Sequence, residues 1–159
     1  EKSLRRWKAG NNYDTVISQI QEYLDQGEYG ELFEYGEYYH LTDSEKGKFA
    51  DYYNVFWCAW RYDRTAGDMD SYLRSQDYED QSIRDSYLQS LADSLSSFYQ
   101  ESWPDQYPEE MRSIYETMRI RMGELLEEKI GLSEETVEEL DGMTSARIAK
   151  LLRERGQAE

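Results

Sequence analysis

The sequence predicts an all-α fold, an irregular bundle of five to seven helices with a central aromatic-rich helix and a short C-terminal helical hairpin. Apolar side chains recur at three- and four-residue steps along most of the 159-residue chain, which is the period of a helix. The chain has only two prolines, and it lacks the alternation of apolar and polar residues that indicates half-buried strands. Its 14% aromatic content argues against disorder, because disordered chains are poor in aromatic residues.

The first two predicted helices lie before residue 42. Asn11 and Asn12 are favourable N-caps, and Gly27 is a typical helix end. Between them runs one apolar stripe, which consists of Tyr13, Val16, Ile17, Ile20, Tyr23 and Leu24. A shorter helix follows around Leu32 and Phe33, and we expect it to be irregular because the glycines at positions 30 and 36 weaken a helix.

The third predicted helix begins at a capping box that runs from Thr42 to Glu45. Its aromatic residues cover more than one face, and they are Phe49, Tyr52, Tyr53, Phe56, Trp57 and Trp60. A helix that is apolar nearly all round is touched from several sides, so we place this helix at the centre of the bundle. We expect it to end near Gly67 and to bury the thiol of Cys58 in its apolar surroundings.

A loop or cap is predicted at residues 77–80, after one or two separate helical turns between residues 68 and 75. The next helix carries apolar residues from Ile83 to Phe98 and ends before Pro104, because proline disfavours the helical conformation in the residue before it. Its apolar positions are Ile83, Tyr87, Leu88, Leu91, Leu95 and Phe98.

The following helix is predicted to begin near Pro108 and to end at Gly131. Its apolar seam steps by four, three, four and three residues, through Met111, Tyr115, Met118, Met122 and Leu125, and Ile114 and Leu126 widen it. Two short helices come next, with N-caps at Ser133 and Thr144 that hydrophobic staples flank. These boundaries divide the chain into a basic leader or trimmed juxtamembrane segment (1–10), a helical bundle (11–131) and a C-terminal hairpin packed on the bundle (132–159).

The formal net charge of −16 limits the kinds of partner that the chain can bind. Such a surface repels nucleic-acid phosphate and anionic lipid, so we expect no nucleic-acid partner. The sequence contains no apolar run long enough for a transmembrane segment. The opening segment is nevertheless basic, as expected either beside a membrane anchor or in a first helix packed on acidic neighbours. The first alternative favours an extracytoplasmic, membrane-anchored full-length product over a cytoplasmic one.

An acidic, tyrosine-rich surface is the main functional prediction. No lysine or arginine occurs between Lys8 and Lys46, although carboxylates are frequent there. The candidate surface comprises Glu28, Tyr29, Glu31, Glu34, Tyr35, Glu37, Tyr38, Tyr39, His40 and Tyr62. Tyrosine supplies a large, stiff contact area with a polar tip, and an acidic surface attracts cations. We therefore expect a protein or basic peptide as partner, with a carbohydrate as a further possibility.

The alternative interpretation is that tyrosine fills a half-wet helical core in place of leucine and phenylalanine. Several of the 15 tyrosines should be exposed, because they lie near predicted helix ends or off the main apolar stripes, and these are Tyr29, Tyr35, Tyr38, Tyr39, Tyr62, Tyr78 and Tyr107.

No catalytic, cofactor-binding or metal site is predicted. His40 is the only histidine, and Glu37 or Asp43 could orient it as a general base, but no nucleophile motif lies beside it. The leading function is therefore a non-catalytic interaction domain. One alternative is a carboxylate-based hydrolase, which needs a deep pocket with His40 or two buried acids. The other is a small helix-turn-helix-like regulator that uses the basic second helix of the C-terminal hairpin.

Overall fold

The computed structural model of the chain describes residues 22–23, 25–28, 50–99 and 109–158. All regular structure in these residues is helical, and no strand occurs among them, so the predicted all-α class is confirmed. The α-helices are α1 (Ala50–Ser75), α2 (Gln81–Tyr99), α3 (Glu109–Leu125), α4 (Glu134–Glu139) and α5 (Ser145–Ala158). A π-helical segment, Leu126–Ile130, follows α3 directly.

The chain divides into two compact units. The first unit comprises Glu1–Asp63 and Trp103–Ile120, and the second comprises Arg64–Ser102 and Arg121–Glu159. Among the described residues of the first unit, the buried side chains are Tyr23, Cys58, Ala59, Tyr62, Tyr115 and Met118. The predicted burial of the Cys58 thiol is thus confirmed. The predicted C-terminal hairpin lies wholly in the second unit, together with α2.

Helix α1 ends later than the sequence predicts. It continues without a break through Gly67 to Ser75 and has 26 residues. The end expected near Gly67 is therefore wrong, as are the separate turns expected after it. The reason is a stripe of buried residues with steps of four, three, four and three, which consists of Cys58, Tyr62, Thr65, Met69 and Tyr72. Because burial of this stripe spans the glycine, packing overrides the weak helix propensity at one exposed position.

Replacement of Gly67 by alanine should stabilise the protein. A Cβ at this exposed position in α1 meets no atom within 4 Å, and the backbone is already helical. Alanine loses less backbone entropy on folding than glycine, so we expect a gain of about 0.5–1 kcal/mol in the free energy of unfolding. Thermal unfolding followed by far-UV circular dichroism measures this gain. The reverse change at the neighbouring position, Ala66→Gly, should lower the melting temperature, and a lowered value for Gly67→Ala contradicts the account.

The second unit is organised around the packing of α2 along α5. The buried face of α2 includes Leu88, Leu91, Ala92, Leu95, Phe98 and Tyr99, and that of α5 includes Ile148, Ala149 and Leu152. Polar contacts secure the pair at its edge. Ser96 Oγ donates to the carbonyl of Met143 at 3.2 Å, and the amide of Gly142 donates to the carbonyl of Tyr99 at 3.3 Å. The region that joins α4 to α5 is thereby fixed on α2.

The end of α3 confirms one prediction and corrects another. Gly131 ends the helix, as expected, with a left-handed φ of 73° and its amide donating to the carbonyl of Leu126. Leu126, which was expected to widen the seam, is buried together with Ile130 in the π-helical segment, whereas the predicted seam residue Leu125 is partly exposed. A π turn advances the buried position by one residue, which a strict helical period does not include.

The predicted N-caps of the two short helices are also confirmed. Ser133 Oγ accepts a hydrogen bond from the amide of Thr136 at 3.2 Å, and Thr144 Oγ1 accepts one from the amide of Arg147 at 3.3 Å. The staple residues Leu132, Met143 and Ile148 are buried beside these caps. These contacts satisfy amides that the first turn of a helix leaves without a partner.

Candidate functional site

Two residues of the predicted surface lie among the described residues. Glu28 is exposed, as a binding surface requires. Tyr62 is only 4% exposed, because it belongs to the buried stripe of α1. Its assignment to an exposed surface is therefore corrected. The remaining members lie outside the described residues, and they are Tyr29, Glu31, Glu34, Tyr35, Glu37, Tyr38, Tyr39 and His40.

A different group of apolar residues is exposed in the second unit, at the loop between α1 and α2. Tyr78 is 43% exposed, Ile83 44% and Tyr87 36%, and we call these three residues the tyrosine patch. Tyr78 lies in the loop, whereas Ile83 and Tyr87 lie one turn apart on α2. The rings of Tyr78 and Tyr87 make an edge-to-face contact, with centroids 6.0 Å apart. Large apolar side chains that are exposed together indicate a contact surface.

Hydrogen bonds hold the loop that carries Tyr78. The amide of Tyr78 donates to the carbonyl of Ser75 at 3.0 Å, at the end of α1. Asp80 caps α2 by accepting from the amide of Ser82 at 2.8 Å, as the predicted loop or cap requires. Arg84 Nη1 donates to the carbonyl of Tyr78 and, at 3.1 Å, to that of Glu79. The loop is therefore tied to both helices, which fixes the tyrosine patch before any partner binds.

Negative charge borders the tyrosine patch. Residues 76–88 contain four carboxylates and one guanidinium, so this segment carries a net charge of −3 (1 − 4). Asp77, Glu79 and Asp80 are all exposed on the loop. The one cation, Arg84, donates to backbone carbonyls rather than to these carboxylates. The rim of the patch is thus suited to ammonium and guanidinium groups of a partner.

A cleft of about 280 Å³ lies beside the tyrosine patch in the second unit. Its floor includes the buried residues Tyr72, Leu88 and Leu152. Polar side chains form the rest of its lining, and they are Gln76, Gln81, Arg84, Asp85 and Arg153. The cleft therefore combines an apolar floor with two guanidinium groups, two carboxamides and one carboxylate.

Two serine–carboxylate pairs in the second unit have a structural role. Ser94 Oγ donates to Asp68, and Thr65 Oγ1 donates to the carbonyl of Ser94 at 3.4 Å, which links α2 to α1. In the other pair, Ser145 at the start of α5 donates to Asp93 on α2. No histidine lies among the described residues to activate either serine. Within these residues there is also no group of three or more His, Cys, Asp or Glu side chains placed to hold a metal ion.

Sequence reasoning found part of the tyrosine patch and missed the rest. Tyr78 belongs to the group of seven tyrosines of which several were expected to be exposed, and it is exposed, whereas Tyr62 of the same group is buried. Ile83 and Tyr87 were assigned to the apolar stripe of their helix. Both lie roughly a quarter to a third of a turn from the centre of the buried face that begins at Leu88. That angular offset is the signal that could have found them.

Comparison of the chain with protein-family models, with curated proteins and with solved structures found no match. Within the ranges that the structure describes, no helix is both long enough and apolar enough to cross a membrane.

Proposed function

We propose that this chain is a non-catalytic interaction domain that binds a cationic, partly apolar segment of a partner protein. The observation that supports this function is the tyrosine patch, which is exposed and bordered by carboxylates in a chain of net charge −16. Tyrosine is enriched at protein interfaces because it joins apolar contact area to a polar hydroxyl. The opposite charges of rim and partner favour encounter and orientation.

Each part of the patch has a distinct role in this proposal. Lysine or arginine side chains of the partner lie near Asp77 and Glu79 on the exposed loop. An apolar partner side chain contacts Ile83 and the two tyrosine rings, and a nearby cation gains cation–π attraction from the rings. Because Arg84 already holds the loop, binding needs little ordering of the chain, which lowers its entropic cost.

The acidic, tyrosine-rich segment predicted from the sequence also belongs to this proposal. Its exposed member Glu28 has the same character as the rim of the patch. The predicted bundle, with its aromatic helix at the centre, would leave the carboxylates of that segment free to recruit the same kind of partner. Within the described residues, no observation favours the hydrolase or the helix-turn-helix regulator over an interaction domain.

Binding of model peptides tests the proposal. We expect a fluorescein-labelled peptide of alternating lysine and leucine to bind, as measured by fluorescence anisotropy, and to bind less tightly as salt rises from about 20 to 200 mM. The equally charged peptide of alternating lysine and serine should bind more weakly, because it offers no side chain to the apolar patch. Absence of binding by either peptide at low salt contradicts the proposal.

Matched charge variants locate the surface. The double variant Asp77→Asn/Glu79→Gln removes two negative charges from the rim of the patch. It should weaken binding of the lysine–leucine peptide by about five- to tenfold, because the loss of each charge contact lowers the affinity by less than about tenfold and the two losses combine. Glu138→Gln/Glu139→Gln removes the same charge from exposed positions on α4 and should change affinity by less than about twofold. Equal loss in both variants would show that binding follows net charge alone.

A further inference from the structure

We infer that the cleft beside the tyrosine patch binds a compact organic carboxylate, in which one carboxylate group is attached to a small apolar body. This ligand site is separate from the cationic partner proposed above. The ligand of the cleft has the opposite charge to that partner, and the cleft lies on a neighbouring face of α2. The inference stands whether or not the tyrosine patch binds a protein.

The two guanidinium groups are the first observation. Arg84 and Arg153 lie on different helices, α2 and α5, and both line the cleft. Arg84 is held in place because its Nη1 atom donates to two loop carbonyls, and its other guanidinium nitrogens have no partner among the described residues. Arg153 forms no hydrogen bond or ion pair within these residues, although acids outnumber cations in the chain by 34 to 18. Guanidinium groups bind carboxylates in a two-point geometry.

The floor of the cleft selects for an apolar body. Leu152 is 1% exposed, Leu88 7% and Tyr72 6%, so a ligand in the cleft meets packed apolar side chains on one side and polar side chains on the other. The volume of about 280 Å³ suits a short branched chain rather than a nucleotide or a sugar polymer. The carboxamide of Gln81 at the rim can donate a further hydrogen bond.

The charge of the cleft indicates one negative charge on the ligand. Asp85 lines the same cleft, so its ionised side chains carry a net charge of +1 (2 − 1). A ligand with one negative charge balances this charge, whereas a dianion such as phosphate leaves an excess negative charge beside Asp85. Two sources offer this chemistry. One is a free short-chain carboxylic acid, and the other is the C-terminal carboxylate of a protein that ends in an apolar residue.

Nuclear magnetic resonance titration of the ¹⁵N-labelled protein tests this site with 4-methylpentanoate as the probe. We expect progressive shifts at the side-chain amides of Gln76 and Gln81 and at the backbone amides around Arg84 and Arg153. The uncharged amide of the same acid should bind at least about tenfold more weakly, because the arginine contact is lost. Acetate should also bind more weakly, since it has no apolar body. Equal responses to all three compounds, or none at tens of millimolar, overturn the inference.

Arginine variants localise the binding. Arg153→Gln should weaken 4-methylpentanoate binding about five- to tenfold, whereas Arg147→Gln, which alters an exposed arginine on the same helix outside the cleft, should leave it unchanged. Equal effects of the two variants would show that the probe responds to positive charge in general, and this result would refute the proposed carboxylate site. A short peptide ending in leucine, with a free or an amidated C-terminus, distinguishes the two sources. Tighter binding of the free-carboxylate peptide than of 4-methylpentanoate assigns the cleft to a protein C-terminus, and the reverse order assigns it to a free acid.

Discussion

Replacement of Leu95 by alanine is expected to lower the free energy of unfolding by about 2–5 kcal/mol, the range for truncation of a fully buried leucine. Leu95 lies in the C-terminal half of α2 and is 0% exposed. Truncation of this side chain leaves a cavity, because the neighbouring side chains relax only partly into the space. Urea unfolding followed by circular dichroism at 222 nm measures the loss.

The matched control lies on the same helix. Ile83→Ala also truncates a large aliphatic side chain of α2, but Ile83 is 44% exposed. We expect this variant to cost less than about 1 kcal/mol, since exposed substitutions leave no cavity. Ile83→Ala should nevertheless weaken binding of the lysine–leucine peptide, because Ile83 belongs to the tyrosine patch. Equal stability losses in the two variants would contradict the assignment of the buried face of α2.

The contrast between Leu95 and Ile83 shows what sequence periodicity can and cannot predict. Leu88, Leu91, Leu95 and Phe98 repeat at steps of three and four, and all four are buried. Ile83 continues this run of apolar residues along the sequence, but on the surface of the helix it lies to one side of the buried face. Hydrophobicity alone does not show whether another element covers that side, so the pattern predicts the helix and its core but not the exposed patch.

One helix boundary and one seam position differ from the prediction, and the physical causes of both differences are not local. Gly67 is a weak helix residue, yet burial of Met69 and Tyr72 beyond it continues α1. The π turn after Leu125 shifts the buried seam to Leu126 and Ile130. Tertiary packing decides both outcomes, and neither the helix propensity of a residue nor a fixed helical period predicts that packing.

Recognition of the candidate site depends on contacts between residues that are distant in the sequence. The exposure of Tyr78 was predictable because it lies in a loop between two helices. The role of Arg84 was not, because arginine is an ordinary surface residue until its bonds to the carbonyls of Tyr78 and Glu79 are known. The cleft joins Tyr72 to Arg153, and no sequence motif connects two such positions.

Addition of one methyl group at Gly131 should lower the stability of the protein. Among the predicted effects on stability, this one is second to that of Leu95→Ala. Gly131 ends the helical segment that follows α3 with a φ of 73°, a conformation that costs an L-residue roughly 1–2 kcal/mol. A Cβ built there would also lie 2.6 Å from Nη2 of Arg155, so the guanidinium must move. We therefore expect Gly131→Ala to lower the free energy of unfolding by about 1–3 kcal/mol, the strain of the backbone plus the displaced arginine.

A second glycine separates these two contributions. Gly142 has a nearly identical φ of 74°, but a Cβ there meets no atom within 4 Å. Gly142→Ala should thus cost the backbone strain alone, and the excess for Gly131→Ala measures the displacement of Arg155. In an Arg155→Ala background that excess should disappear, because no side chain then occupies the space. Urea unfolding of the four variants gives all these values. An excess that persists without Arg155 would contradict its assignment to the guanidinium, because the Glu127 carbonyl oxygen lies 4.0 Å from the added Cβ, an ordinary contact distance.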